Sequence, residues 1–124
     1  MQTVTKREVK EVLNEMLGIL QEGRMTEGQE TYFADNVVTQ EGNNPALTGK
    51  QNAIERLNNF RESIGVTEFI SYKIGKTAVE GNTSFYDAVL SLKLKSGETI
   101  NLEQVVKTVW NDEGKIVFER YYHG

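Results

Sequence analysis

The chain has no cysteine, one proline and one histidine in 124 residues. Without a thiol there can be no disulfide framework, cysteine nucleophile or thiolate metal site. A lone histidine and acids scattered over separate segments match none of the spacings that hold zinc or calcium, so neither metal nor cofactor is expected. No apolar run approaches the roughly 20 residues of a membrane span, and the start from Met1 to Glu8 lacks the apolar stretch of a signal peptide. A soluble, cytoplasmic protein with no membrane partner is the expectation. Basic residues are also scarce: 14 Lys and Arg against 18 Asp and Glu give a formal charge of -4, and no basic cluster exceeds Lys6-Arg7. Nucleic acid is repelled on average by such a chain. Gly75-Lys76-Thr77 imitates the end of a phosphate loop, but Ile70 stands where the first glycine belongs. No Gly-x-Ser-x-Gly elbow supports a serine hydrolase.

What is present divides in two. In the first half, Val9, Val12, Leu13, Met16, Leu17 and Leu20 recur at helical spacing, with Thr5 and Glu8 as a capping box and Gly23 as the stop. A shorter helix is predicted from Thr26, boxed with Gln29, to about Tyr32-Asp35. Asn36 to Glu41 reads as a short strand and Gly42-Asn43-Asn44-Pro45 as a loop. A third helix begins after Thr48, boxed with Gln51, presents Ala53, Ile54, Leu57, Phe60 and Ile64, and ends at Gly65. The period then changes to two. Val66–Val79, Ser84–Lys95, Glu98–Trp110 and Lys115–Tyr122 read as strands of an antiparallel meander. No linker or repeat interrupts residues 1-124, which predicts one α+β domain with three helices packed on a curved antiparallel sheet.

Register decides which side chains share a face. A two-residue loop at Ser96-Gly97 pairs Lys95 with Glu98 and places Phe85, Asp87, Val89 and Ser91 beside Leu102, Gln104, Val106, Thr108 and Trp110. Tyr86, Ala88, Leu90 and Leu92 then occupy the other face with Val105 and Val109. Both faces are apolar enough to need cover, and the helices can cover only one, so a homodimer through the outer face is expected. In the last hairpin a four-residue loop, Asn111 to Gly114, turns Val117, Glu119, Tyr121 and His123 to the Trp110 face. A three-residue loop with a bulge at Gly114 turns them away.

Three strings, Tyr32-Phe33-Ala34-Asp35-Asn36-Val37-Val38, Gly49-Lys50-Gln51-Asn52-Ala53-Ile54 and Asn111-Asp112-Glu113-Gly114-Lys115-Ile116 leading to Arg120-Tyr121-Tyr122, occur in this order. With the element order they make the chain resemble the nuclear transport factor 2-like superfamily, particularly its SnoaL-like and ketosteroid isomerase-like members. The resemblance implies a cystatin-like cone with a pocket between helices and sheet, and a dimer. It also implies that positions matching Thr108, Trp110, Glu119, Tyr121 and His123 face the pocket, which selects the four-residue loop.

By the same resemblance the general base of the isomerase-like members falls on Glu41, while the oxyanion-hole tyrosine falls on Met16 and the protonated carboxylate on Val106. Neither of the last two can donate to an enolate, which speaks against steroid-type isomerisation. In the expected register Asp87 and Glu119 flank Val106, and two acids in one pocket push their pKa values apart. Glu41, Asp87 and Glu119 are therefore the catalytic candidates. Met16, Gln104, Val106, Thr108, Trp110, Tyr121 and His123 are the candidate ligand contacts. Two functions stay open: acid–base isomerase, cyclase or dehydratase chemistry on a small apolar molecule, or non-catalytic ligand binding or dimerisation with a degenerate site.

Overall fold

The computed structural model describes residues 8–123. Three helices, α1 (Val9–Gln21), α2 (Met25–Tyr32) and α3 (Lys50–Ile64), lie on one face of a six-stranded sheet. The strands are β1 (Phe33–Glu41), β2 (Leu47–Thr48), β3 (Val66–Glu80), β4 (Thr83–Leu94), β5 (Thr99–Trp110) and β6 (Ile116–His123). Their order across the sheet is β2-β1-β6-β5-β4-β3. The expected meander β3 to β6 is there. The sheet is mixed rather than purely antiparallel, because β1 runs parallel to β6 and closes its edge. No helix among the described residues is long and apolar enough to cross a membrane.

The apolar stripe of α1 explains its seat: Val12, Leu13, Met16, Leu17 and Leu20 are all buried. The helix ends in a Schellman motif, in which the Arg24 amide donates to Ile19 and the Gly23 amide to Leu20 while Gly23 takes φ 85°. The capping boxes fare differently. Thr5 lies outside the described residues. α2 starts one residue before Thr26, at Met25, and α3 is preceded by Gly49; neither N-cap carries a side-chain hydrogen bond. Lys50 and Arg24 form ion pairs with Asp35 and with Glu22 and Glu27 instead.

The two hairpins settle the faces. Leu94 donates to Glu98 at 2.8 Å and Gly97 to Leu94 at 2.8 Å, with Gly97 at φ 90°. The loop thus holds three residues, Lys95-Ser96-Gly97, and β4 slips by one residue from the expected pairing, so that Ala88 faces Gln104 and Asp87 faces Val105. This reverses the face of β4: Ser84, Tyr86, Ala88, Leu90 and Leu92 point to the helices. Asp87 and Phe85 are exposed on the open side.

The last hairpin also has a three-residue loop, Asp112-Glu113-Gly114, since Asn111 donates to Lys115 at 2.8 Å and Gly114 takes φ 75°. Alone this would turn Glu119 outward. A bulge follows at once: Trp110 pairs with Ile116 but Val109 with Phe118, and the added residue restores the parity. Glu119 pairs with Thr108, Tyr121 with Val106 and His123 with Gln104, all on the helix-covered face. Ile116 takes the buried place beside Trp110 that was expected of Val117.

The core lies beneath α1 and α2, where Leu13, Leu17, Tyr32, Phe33, Val37, Val106, Trp110 and Ile116 meet. Trp110 is 1% exposed, donates its indole N–H to Ser84 Oγ at 2.9 Å and meets the Tyr32 ring edge-on.

Candidate functional site

Away from this core the helices stand clear of the sheet and leave a cavity of about 730 Å³. Its apolar wall comprises Leu20, Leu57 and Phe60 from the helices and Leu90, Leu92 and Leu102 from the sheet. Polar groups enter from three places, the first of them Glu119 on β6.

Glu119 is 5% exposed, and its two oxygens accept from Thr108 Oγ1, at 2.7 Å, and from the Tyr121 hydroxyl. Burial pushes this carboxyl up to about 6; the bonds from Tyr121 and Thr108 hold it down, and the negative charge of Glu41 raises it again. Burial, with the adjacent Glu119 charge, also holds the Tyr121 phenol well above its usual range. Since a carboxylate offers about four lone-pair sites, two bonds leave Glu119 room for a further contact.

At the mouth, Glu41 ends β1 and meets His123 Nε2 at 2.7 Å, with Arg56 Nη2 3.9 Å from its other oxygen. Arg56 reaches over from α3 and donates to Thr39 Oγ1 at 2.8 Å. On the floor, Gln104 Nε2 donates to the Tyr72 hydroxyl, which lies 3.2 Å from that of Tyr86. Among the described residues no group of His, Asp and Glu gathers into a metal-binding cluster.

Of the expected site residues, Glu41, Gln104, Glu119, Tyr121 and His123 line the cavity. Four others do not: Met16, Val106, Thr108 and Trp110 are at most 3% exposed and fill the core behind it. Thr108 acts on the site through its bond to Glu119.

Asp87 requires a correction. The slip of one residue in β4 carries it to the open face, where it accepts from the Lys76 amide and lies over Gly75, whose added Cβ would come within 2.5 Å of the carboxylate. Asp87 thus stitches the β3 bulge between Ile74 and Thr77. The acid on the same side of the pocket as Glu119 is Glu41, on the parallel pair β1 and β6, where Thr39 faces Glu119; Glu68 on β3 also lines the cavity but is exposed.

The expectation missed Arg56, Tyr72 and Tyr86. Arg56 carried a readable signal, since it falls within the apolar stripe of Ala53, Leu57 and Phe60. Tyr86 was lost with the β4 register.

No family profile matches the chain, and no curated protein matches it in sequence. Solved structures do. A protein from Mesorhizobium loti described as a SnoaL-like polyketide cyclase superposes with a TM-score of 0.78 at 20% identity, over 94% of this chain and 99% of that one. A nuclear transport factor 2-like protein of unknown function from Burkholderia pseudomallei gives 0.77 at 11% identity, over 94% and 90%. An epoxide hydrolase from M. tuberculosis gives 0.70 at 16% identity, over 94% and 82%. At these identities the likeness establishes the fold: that of the nuclear transport factor 2-like proteins, α+β with helices on one face of a curved sheet.

Proposed function

We propose that the protein binds a small, largely apolar molecule in this cavity and moves a proton on it, as an isomerase, cyclase or dehydratase of SnoaL-like type. The observation that supports this reading best is Glu119. It is a carboxyl held near neutrality by burial at the foot of an apolar cavity, with Glu41 as a second acid nearby. A group that titrates near the working pH can both take and return a proton. Glu119 therefore replaces Glu41 as the leading base. Glu41, tied to His123 and facing Arg56, forms the polar rim of the entrance. The structural neighbours described as polyketide cyclases and as an epoxide hydrolase act on small molecules by their descriptions, which fits this reading.

A ketone with protons beside its carbonyl is the direct probe. Glu119 would take one such proton as the C–H electron pair moves into an enolate, and a deuteron returned from the carboxyl in D2O would mark the carbon. Proton magnetic resonance of 1-tetralone in D2O should show exchange at the carbon beside the carbonyl above the buffer rate. Glu119→Gln should reduce that catalysis by about a hundredfold or more. Exchange unaffected by Glu119→Gln would sink the assignment.

A second reading is favoured by one feature, the hydroxyls that cap both Glu119 oxygens. A carboxylate so held suits a binding pocket without turnover, or a scaffold for dimerisation. Binding of 1-tetralone with no exchange would select the binding pocket.

A further inference from the structure

Tyr72 and Tyr86, on neighbouring strands of the cavity floor, are 5% and 3% exposed, and their rings meet edge to face at 88°. Their hydroxyls form a short chain with one amide. Gln104 Nε2 donates to the Tyr72 oxygen at 2.8 Å, and the two hydroxyl oxygens lie 3.2 Å apart. Two phenolic protons serve this chain. One bridges the two oxygens, whichever tyrosine supplies it, and the other has no acceptor among the described residues. Burial pushes Tyr72 up to about 12 and Tyr86 well above its usual range, so both phenols keep their protons at neutral pH.

A buried donor without an acceptor is costly, and an oxygen arriving from the cavity would satisfy it. The surroundings favour such an oxygen on an otherwise apolar body, because Leu90, Leu92 and Leu102 line the same wall. Tyr86, Val106 and Tyr121 lie in one row across β4, β5 and β6. The charge of Glu119 reaches both phenols across this row and helps to raise them, so the acid and the tyrosine pair face the same ligand.

We infer that the Tyr72–Tyr86 pair is the anchor for an oxygen acceptor on the ligand, such as a carbonyl, and that the cavity selects for small apolar molecules carrying one. The inference rests on the reading of the cavity as a small-molecule site and is independent of catalysis by Glu119.

Two bicyclic probes of nearly equal shape test it: 1-tetralone, with a carbonyl, and tetralin, without. Calorimetry or ligand-observed magnetic resonance should show 1-tetralone binding about tenfold more tightly, as one added hydrogen bond implies. The carbonyl stretch of bound 1-tetralone should move to lower frequency. In Tyr72→Phe/Tyr86→Phe the preference and the frequency shift should both vanish while tetralin binds as before, which also shows that the cavity has survived. Either single variant should retain part of the preference, because the remaining phenol keeps a free proton.

Equal affinity of the unaltered protein for the two probes overturns the inference; it is the result expected if Gln104 presents its oxygen to Tyr72 and leaves no proton free. Binding of neither probe overturns both this inference and the small-molecule reading. A carbonyl preference without proton exchange leaves the anchor standing and removes only the catalytic role of Glu119.

Discussion

Replacing Glu119 by Gln should make the protein more stable at neutral pH and lose that advantage in acid. Burial raises the carboxyl from 4.5 to about 6, so the folded state holds its proton more tightly than the unfolded chain does. The contribution to stability from Glu119 is therefore full below about pH 4.5. It falls as the pH rises through about 6 and is flat above. A shift of this size corresponds to about 2 kcal/mol at 1.36 kcal/mol per pH unit. Gln removes the charge and keeps the shape, and it can still accept from one hydroxyl and donate to the oxygen of the other.

Urea unfolding of both proteins at pH 4 and pH 7.5 isolates the effect, since the remaining carboxylates are common to the two. The difference in stability, variant minus unaltered protein, should rise by about 2 kcal/mol between the two pH values. With a slope of about 2 kcal/mol per molar urea this moves the relative midpoint by about 1 M. A difference that stays constant with pH would refute the claim that the fold penalises the Glu119 charge. The proposed function would then lose its main physical support, because a carboxylate that is costly to ionise is the mark of a site kept for chemistry.

The other predictions concern the framework. Gly75→Ala should destabilise the fold, since its Cβ would meet the Asp87 carboxylate at 2.5 Å. In an Asp87→Ala background that penalty should shrink by about 1 kcal/mol, and additive losses in a double-mutant unfolding cycle would contradict the bulge assignment. Gly97→Ala places a Cβ at φ 90° and should cost about 1 kcal/mol, read as a fall of several degrees in Tm; no change would mean that the loop is not closed by a left-handed residue. The open face shows Phe85, Val105 and Tyr122 at 38%, 44% and 37% exposure, a patch that we expect a second copy to cover. Light scattering at micromolar concentration should give a dimeric mass that Val105→Lys halves, and a monomeric mass for the unaltered chain would end that expectation.

Apart from the two-residue β2, which was not expected, element order was legible because each longer element carries its own periodicity. The α1 stripe of Val12, Leu13, Met16, Leu17 and Leu20 is buried throughout, and Gly23 and Gly65 stop their helices with positive φ as expected. Two features lay beyond local pattern. The parallel pairing of β1 with β6 joins residues some 80 positions apart, such as Glu41 and Tyr121, and no nearby residue encodes it. Arg56 sits on a helix stripe that otherwise reads as core, yet its charge is met by Thr39 and Glu41 on the strand it crosses.

The pocket itself depended on parity, and here the two hairpins part ways. Both turn on a three-residue loop whose last residue is a glycine in the left-handed region, one residue longer than expected at Ser96-Gly97 and one shorter than the four-residue loop expected at Asn111 to Gly114. In β4 nothing compensates along its pairing with β5: every partner from Lys93 to Thr83 is displaced, Asp87 leaves the pocket and Tyr86 enters it. In β6 the bulge after Ile116 adds a second step. Glu119 and Tyr121 return to the face that an unbulged strand after a four-residue loop would give them. A face assignment can thus be right for a strand whose turn was misread, since side-chain direction depends only on whether the number of extra residues is even or odd. The bulge is therefore a functional element of this sheet: removing one residue between Ile116 and Phe118 would turn Glu119 and Tyr121 to the open face and leave the cavity without its buried acid.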